Sequence, residues 1–180
     1  MTQSSCALYD SLSNLLVYPT DASTTEVAEC ERLLKECGSP ARSYIATFAK
    51  HVQGSTVENL EELYTRTFEI NPVCTMEIGW HLFGERYERG AFLVKMRQAM
   101  RQFQLAESAE LPDHLIHVLQ VLGRMAPDEA TTFVSEAVMP AIDKMMDGFK
   151  DKDNVYRAVL QGIVCELKNR HGIEARSQTC

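Results

Sequence analysis

Leu8-Tyr9-Asp10-Ser11-Leu12-Ser13-Asn14-Leu15-Leu16 carries leucines at i, i+4, i+7 and i+8. That spacing lines one face of a helix and lacks the alternation of a half-buried strand. Tyr18-Pro19 stops it, because proline disfavours a helical residue before it. The same period continues down the chain. Val27, Cys30, Leu33, Leu34 and Cys37 form a second stripe, with Gly38 placed as a C-terminal stop. Tyr44, Ile45, Phe48 and Val52 form a third, ended near Gly54. Val57, Leu60, Leu63, Tyr64 and Phe68 form a fourth, entered through the capping hydroxyls of Ser55 and Thr56. After the Asn71-Pro72 turn, Met76 to Phe83 reads as a short apolar helix broken by Gly84. Phe92, Leu93, Met96, Met100 and Phe103 share the face of a longer helix. Leu115, Val118, Leu119 and Leu122 follow, with Pro112 expected in the first turn of their helix. Val134, Val138, Ile142, Met145 and Phe149 mark a stretch that Pro140 should kink or split. Val155, Val159, Ile163 and Leu167 mark the last helix. The expected fold is all-α: a single-domain helical bundle of about eight to nine helices over residues 1–170, then a polar, frayed tail over 171–180.

The chain has 180 residues, 25 acidic and 18 basic side chains, and a formal net charge of −7. A length of 180 suits one core rather than two. The acidic balance argues against nucleic acid as the partner, since phosphate binding needs clustered Lys and Arg. No stretch reaches the ~18 uninterrupted apolar residues of a membrane span. Met1-Thr2-Gln3-Ser4-Ser5-Cys6 lacks the basic and apolar regions of a secretory signal, so the expected location is cytoplasmic. In that compartment the six cysteines should be ordinary thiols; none stands in a C-x-x-C pair, and Cys30 and Cys37 are separated by six residues.

The densest chemistry is Glu110-Leu111-Pro112-Asp113-His114-Leu115-Ile116-His117. Helical spacing puts Asp113 and His117 one turn apart, and the helix dipole would stabilise Asp113 while disfavouring a charged His114. A carboxylate at a helix terminus contributes only ~0.3–1 kcal/mol, so Asp113→Ala should barely affect stability on this reading. Three functional readings compete with a plainly capped helix bearing surface histidines. Asp113, His114 and His117 could hold a metal in a small helical hydrolase, although no fourth ligand is evident. Asp–His could serve as a general base, but no nucleophile stands in a familiar setting. The set could also form a polar recognition patch. Trp80, Phe83 and Tyr87 make a second cluster across Gly84, either as core or as anchors of a groove for a partner helix. Arg86 and Arg89 alternate with Glu85 and Glu88, the pattern of a solvated face. No phosphate loop or dinucleotide fingerprint occurs.

Several segments together resemble the TorD/DmsD/NarJ family of molybdoenzyme assembly chaperones, closest to its nitrate reductase branch. Leu12-Ser13-Asn14-Leu15-Leu16-Val17-Tyr18-Pro19 is similar to that branch's opening helix ending in Tyr-Pro. Tyr64-Thr65-Arg66-Thr67-Phe68-Glu69, Leu82 to Gly90 with its Arg-Gly ending, and Glu110-Leu111-Pro112-Asp113-His114-Leu115 resemble further family motifs in order. Val155-Tyr156-Arg157-Ala158-Val159-Leu160 resembles a later one. Gln120 and Val121 depart from the usual Glu-Phe, and Asn154 from the usual Pro.

The resemblance implies a protein with no catalysis, metal or cofactor of its own. It would bind the N-terminal segment or twin-arginine leader of an apo molybdopterin oxidoreductase subunit and hold it until molybdenum cofactor is inserted. Cofactor-biosynthesis proteins would be further partners, and the chaperone itself would be a monomer or weak dimer. The partner-peptide surface expected from these motifs comprises Trp80, Phe83, Tyr87, Arg89, Glu110, Pro112, Asp113, His114 and His117.

Overall fold

The structure is a computed structural model and describes residues 3–149 and 153–173. Its helices are α1 (Gln3–Asn14), α2 (Ser23–Glu36), α3 (Arg42–Gln53), α4 (Val57–Tyr64), α5 (Ile78–Phe83), α6 (Tyr87–Gln102), α7 (Leu115–Leu122), α8 (Pro127–Phe133), α9 (Met139–Asp147) and α10 (Val155–His171). A π turn, Thr65–Glu69, extends α4, and a second, Val134–Val138, joins α8 to α9. With α8 and α9 counted as one rod, there are nine helices and no strand among the described residues.

The leucines that set the opening period are buried: Leu8, Leu12, Leu15 and Leu16 seat α1 against α2 and α7. α7 is the central rod. Seven of its residues are buried, Gln120 excepted, which is why its sequence reads as a nearly continuous apolar run. α2 and α3 form a hairpin through Gly38, whose positive φ of +65° suits a residue without Cβ. α10 lies along α3 so closely that a Cβ on Gly162 would stand 2.8 Å from Ile45 Cδ1. The rings of Tyr64, Phe68, Phe149, Tyr156 and Phe48 continue the core as a chain of tilted and edge-to-face contacts, and exposed Tyr18 joins its edge against Tyr64.

Pro140 does divide its stretch. It is the second residue of α9, and the widened π turn ahead of it accommodates the ring and the missing N–H. Pro112 differs from expectation. α7 begins at Leu115 with His114 as its N-cap, so Pro112 and Asp113 lie in the preceding loop. The frayed tail does not begin at 171 either: α10 runs through His171 and is stopped by Gly172 at φ +60°. The His171 ring is held by the Tyr9 hydroxyl (2.9 Å) and the Thr131 hydroxyl (2.9 Å). The remainder of the expected tail, 174–180, lies outside the described residues, as do 150–152 of the charged turn before α10.

Candidate functional site

The loop before α7 grips the segment that enters α5. Glu77 and His114 form an antiparallel bridge. The Ile78 N–H donates to the Asp113 carbonyl (2.9 Å), and the Leu115 N–H donates to the Met76 carbonyl (2.8 Å). Asp113 adds its side chain: Oδ2 accepts from the Gly79 N–H at 3.1 Å, satisfying a donor in the first turn of α5. Gly79 is required there, because a Cβ would sit 2.6 Å from that oxygen and 3.0 Å from Phe92 Cδ1.

Asp113 is fully buried, so it is neither a surface residue nor part of α7's first turn. Its charge is faced by Arg89 of α6, with Nε 3.6 Å from Oδ2. Arg89 also lies over the Trp80 ring, 5.4 Å from its centroid. Among the described residues neither Arg89 Nε nor Asp113 Oδ1 has a hydrogen-bond partner. Burial pushes the Asp113 carboxyl above its ordinary value, and Arg89 with the backbone N–H groups pulls it back.

The histidines are interior too, not surface groups. His114 Nδ1 accepts from the Ile116 N–H (3.4 Å), which leaves the proton on Nε2, 3.9 Å from Glu110 Oε2. Burial, reinforced by His117, drives the His114 pKa down to about 4, so the ring is neutral at pH 7 and its approach to Glu110 is not an ion pair. His117 Nε2 meets the Ser108 hydroxyl (2.9 Å), and Nδ1 meets Gln120 Oε1 (3.5 Å). Asp113, His114 and His117 therefore turn to three different protein partners. Among the described residues no three His, Cys, Asp or Glu side chains converge as a metal cage would require. That removes the geometric basis of the metal-hydrolase alternative.

A consequence follows for pH. The folded His114 pKa lies below its unfolded value of about 6.5, so the unfolded chain takes up the proton first. The stabilisation is present above about pH 6.5 and is lost as pH falls toward 4, a swing of up to ~3 kcal/mol. Burial moves His81 and His171 the same way. His114→Asn keeps a capping side chain without the titration. Urea melts at pH 7 and pH 4.5 should show a clearly smaller acid loss in this variant, and an unchanged loss would mean His114 is not the main proton site.

The aromatic trio does not form one cluster. Trp80 is partly covered by Arg89, and Phe83 packs toward Phe92 with Arg86 over its ring. Tyr87 stands in solvent at 90% exposure. The structure thus joins Trp80, Arg89 and Asp113, seats buried Pro112 and His114 beside them, and leaves Phe83 and Tyr87 apart.

Glu110 and His117 reach a different place. They border a groove of about 410 Å³ with Val17, Tyr18, Tyr64, Leu105, Glu107, Ile116 and Gln120. At Tyr18 it adjoins a second opening edged by Glu58, Glu61, Glu62, Arg66 and Ile70. The exposed apolar side chains along this face are Val17, Tyr18, Ile70 and Val73. Five glutamates and one arginine edge the two openings. Glu58 is held well ionised by the α4 backbone N–H and the Thr56 hydroxyl. Sequence reading named Glu110 and His117 for a partner surface but missed the rest of this face. Tyr18 served there only as part of a helix stop, and the signal available was the isolated Ile70 beside Asn71-Pro72.

Comparison with known proteins now has geometry to attach to. The family model described as nitrate reductase delta subunit matches residues 34–160. A crystal structure from Archaeoglobus fulgidus, described as a redox enzyme maturation protein, superposes with a TM-score of 0.61 at 15% identity, covering 93% of this chain and 95% of that one. At that identity the likeness speaks for the fold. No curated protein matches the sequence. No helix among the described residues is long and apolar enough to cross a membrane. With the match spanning more than half its length, the chain belongs to the nitrate reductase delta subunit family, whose members are redox-enzyme maturation chaperones and not catalysts.

Proposed function

We propose that this protein is a cytoplasmic maturation chaperone that binds the N-terminal segment or twin-arginine leader of an apo, nitrate reductase-like molybdoenzyme catalytic subunit. It holds that segment while molybdenum cofactor is inserted and before export or membrane docking. The observation that carries the reading is the apolar strip of Val17, Tyr18 and Ile70 set among Glu58, Glu61, Glu62, Glu107 and Glu110. A peptide alternating apolar and basic residues would bury the first kind on the strip and pair the second with the carboxylates. Within the motif residues, Glu110 meets the peptide directly. Pro112, Asp113 and His114 act from beneath, by fixing the wall of the groove that His117 borders. Trp80 and Arg89 brace that wall through Asp113, while Phe83 and Tyr87 contribute at most an outer rim.

The test is calorimetry with a synthetic peptide carrying the N-terminal segment or twin-arginine leader of a nitrate reductase-like molybdoenzyme catalytic subunit. Wild-type protein should bind it, with affinity falling as salt rises. Glu58→Lys/Glu61→Lys/Glu62→Lys should weaken binding by more than about tenfold at low salt with little change in melting temperature. A wild type that ignores the peptide would end the chaperone reading for that client. A triple variant that binds as well as wild type would move the site elsewhere on the surface.

A further inference from the structure

α6 packs chiefly on α5 and α7 and leaves its opposite face in solvent. That face is ordered. Tyr87, Ala91, Val94, Gln98 and Arg101 are all exposed and fall at i, i+4, i+7, i+11 and i+14, so they line one stripe of the helix, apolar at Ala91 and Val94. Val94, at its centre, is 57% exposed, unusual for a β-branched apolar residue. Beside it, a Cβ on Gly90 would meet nothing within 4 Å, so another backbone can come close.

The charges along the face are divided by end. Arg86 and Arg89, the cations of the first turn, are turned back onto the protein. Arg86 donates to the Leu82 and Phe83 carbonyls, and Arg89 faces Asp113. With Arg89 paired to Asp113, exposed Glu85 and Glu88 outnumber the exposed Arg86 and leave the N-terminal end net acidic. Lys95, Arg97 and Arg101 are exposed toward the C-terminal end, where Glu107 stands 3.7 Å from Arg97 and 3.5 Å from Arg101 and offsets part of their charge.

We infer that this face pairs with itself: two copies of the chain associate through antiparallel α6 helices about a two-fold axis at Val94. In that register Val94 meets Val94 of the partner copy, and Tyr87 meets Arg101 ring to cation. Glu85 and Glu88 approach the opposing basic end. A parallel pairing would set like charges together. A helix of 16 residues is about 24 Å long, so the shared area falls below that of an obligate dimer and association is reversible.

Sedimentation equilibrium of the full chain from micromolar to millimolar concentration is the test. Wild type should pass from monomer to dimer, more weakly in high salt. Val94→Asp sets two carboxylates on the axis at an exposed position, and should raise the dissociation constant by more than about tenfold while helical circular dichroism is kept. A charge exchange guards against a merely structural effect. Glu85→Arg/Glu88→Arg and Arg97→Glu/Arg101→Glu proteins should each be monomeric alone and dimerise when mixed. A wild type that stays monomeric at millimolar concentration overturns the proposal. So does a dimer untouched by Val94→Asp, or a charge-exchanged mixture that remains monomeric.

Discussion

Replacing Asp113 with alanine is expected to lower the melting midpoint by about 6–12 °C, the effect of losing ~3 kcal/mol in a chain of this size. The side chain is fully buried and its Oδ2 receives the Gly79 N–H. Truncation strands that donor and leaves Arg89, 23% exposed, without its counter-charge. Breaking one partner out of a buried pair costs more than the pair contributes, because the survivor stays desolvated. Asp113→Asn retains an acceptor for Gly79 and should lose about half as much. Gly79→Ala attacks the same contact from the other side through its 2.6 Å clash. Thermal melts of the three variants form one test. A near-wild-type midpoint for Asp113→Ala would return Asp113 to the minor helix-end role that its sequence position suggests.

The second large effect belongs to Glu166 of α10, which is 1% exposed and bonded to the Ser39 hydroxyl and to the Arg170 guanidinium. Ser39 in turn accepts from the Ala41 N–H (3.1 Å) at the entry to α3, and Arg170 lies over the Tyr9 ring of α1. One carboxylate thus ties α10 to the α2–α3 turn and, through Arg170, to α1. Glu166→Ala should cost ~3–5 kcal/mol, since it empties a buried acceptor site shared by two donors. Glu166→Gln keeps the hydroxyl contact and should recover part of that loss. The check is the urea midpoint at constant m-value. A shift corresponding to under ~1 kcal/mol would mean that the pair is solvated and behaves as a surface bridge.

The helices were legible because their signal is local. Leu8 to Leu16 needs only its own neighbours to show its period, and Pro140 announces a break wherever it stands. Asp113 was misread because its partner is Gly79, 34 residues away, on a segment that says nothing of an incoming carboxylate. Spacing alone put the aspartate at a helix start, where such residues are usually wet. His114 was read as part of the first turn of its helix, but neither as its cap nor as a buried ring. The acidic face was hidden for another reason. It is assembled from the turn after α1, α4 with its π turn, and the loop before α7 with that helix's first turns, and none of these carries an unusual motif alone.

The seating of α10 on α3 has a consequence for how the protein is made. Until α10 has left the ribosome, Ile45 and Phe48 lack their cover, Ser39 lacks Glu166, and Tyr9 lacks His171. These contacts span 127 residues from Ser39 to Glu166 and 162 from Tyr9 to His171. Such long-range closure is slow compared with helix formation and comes after it. The face of α3 that α10 covers therefore stays open until α10 has emerged, so the core closes only after that helix is made.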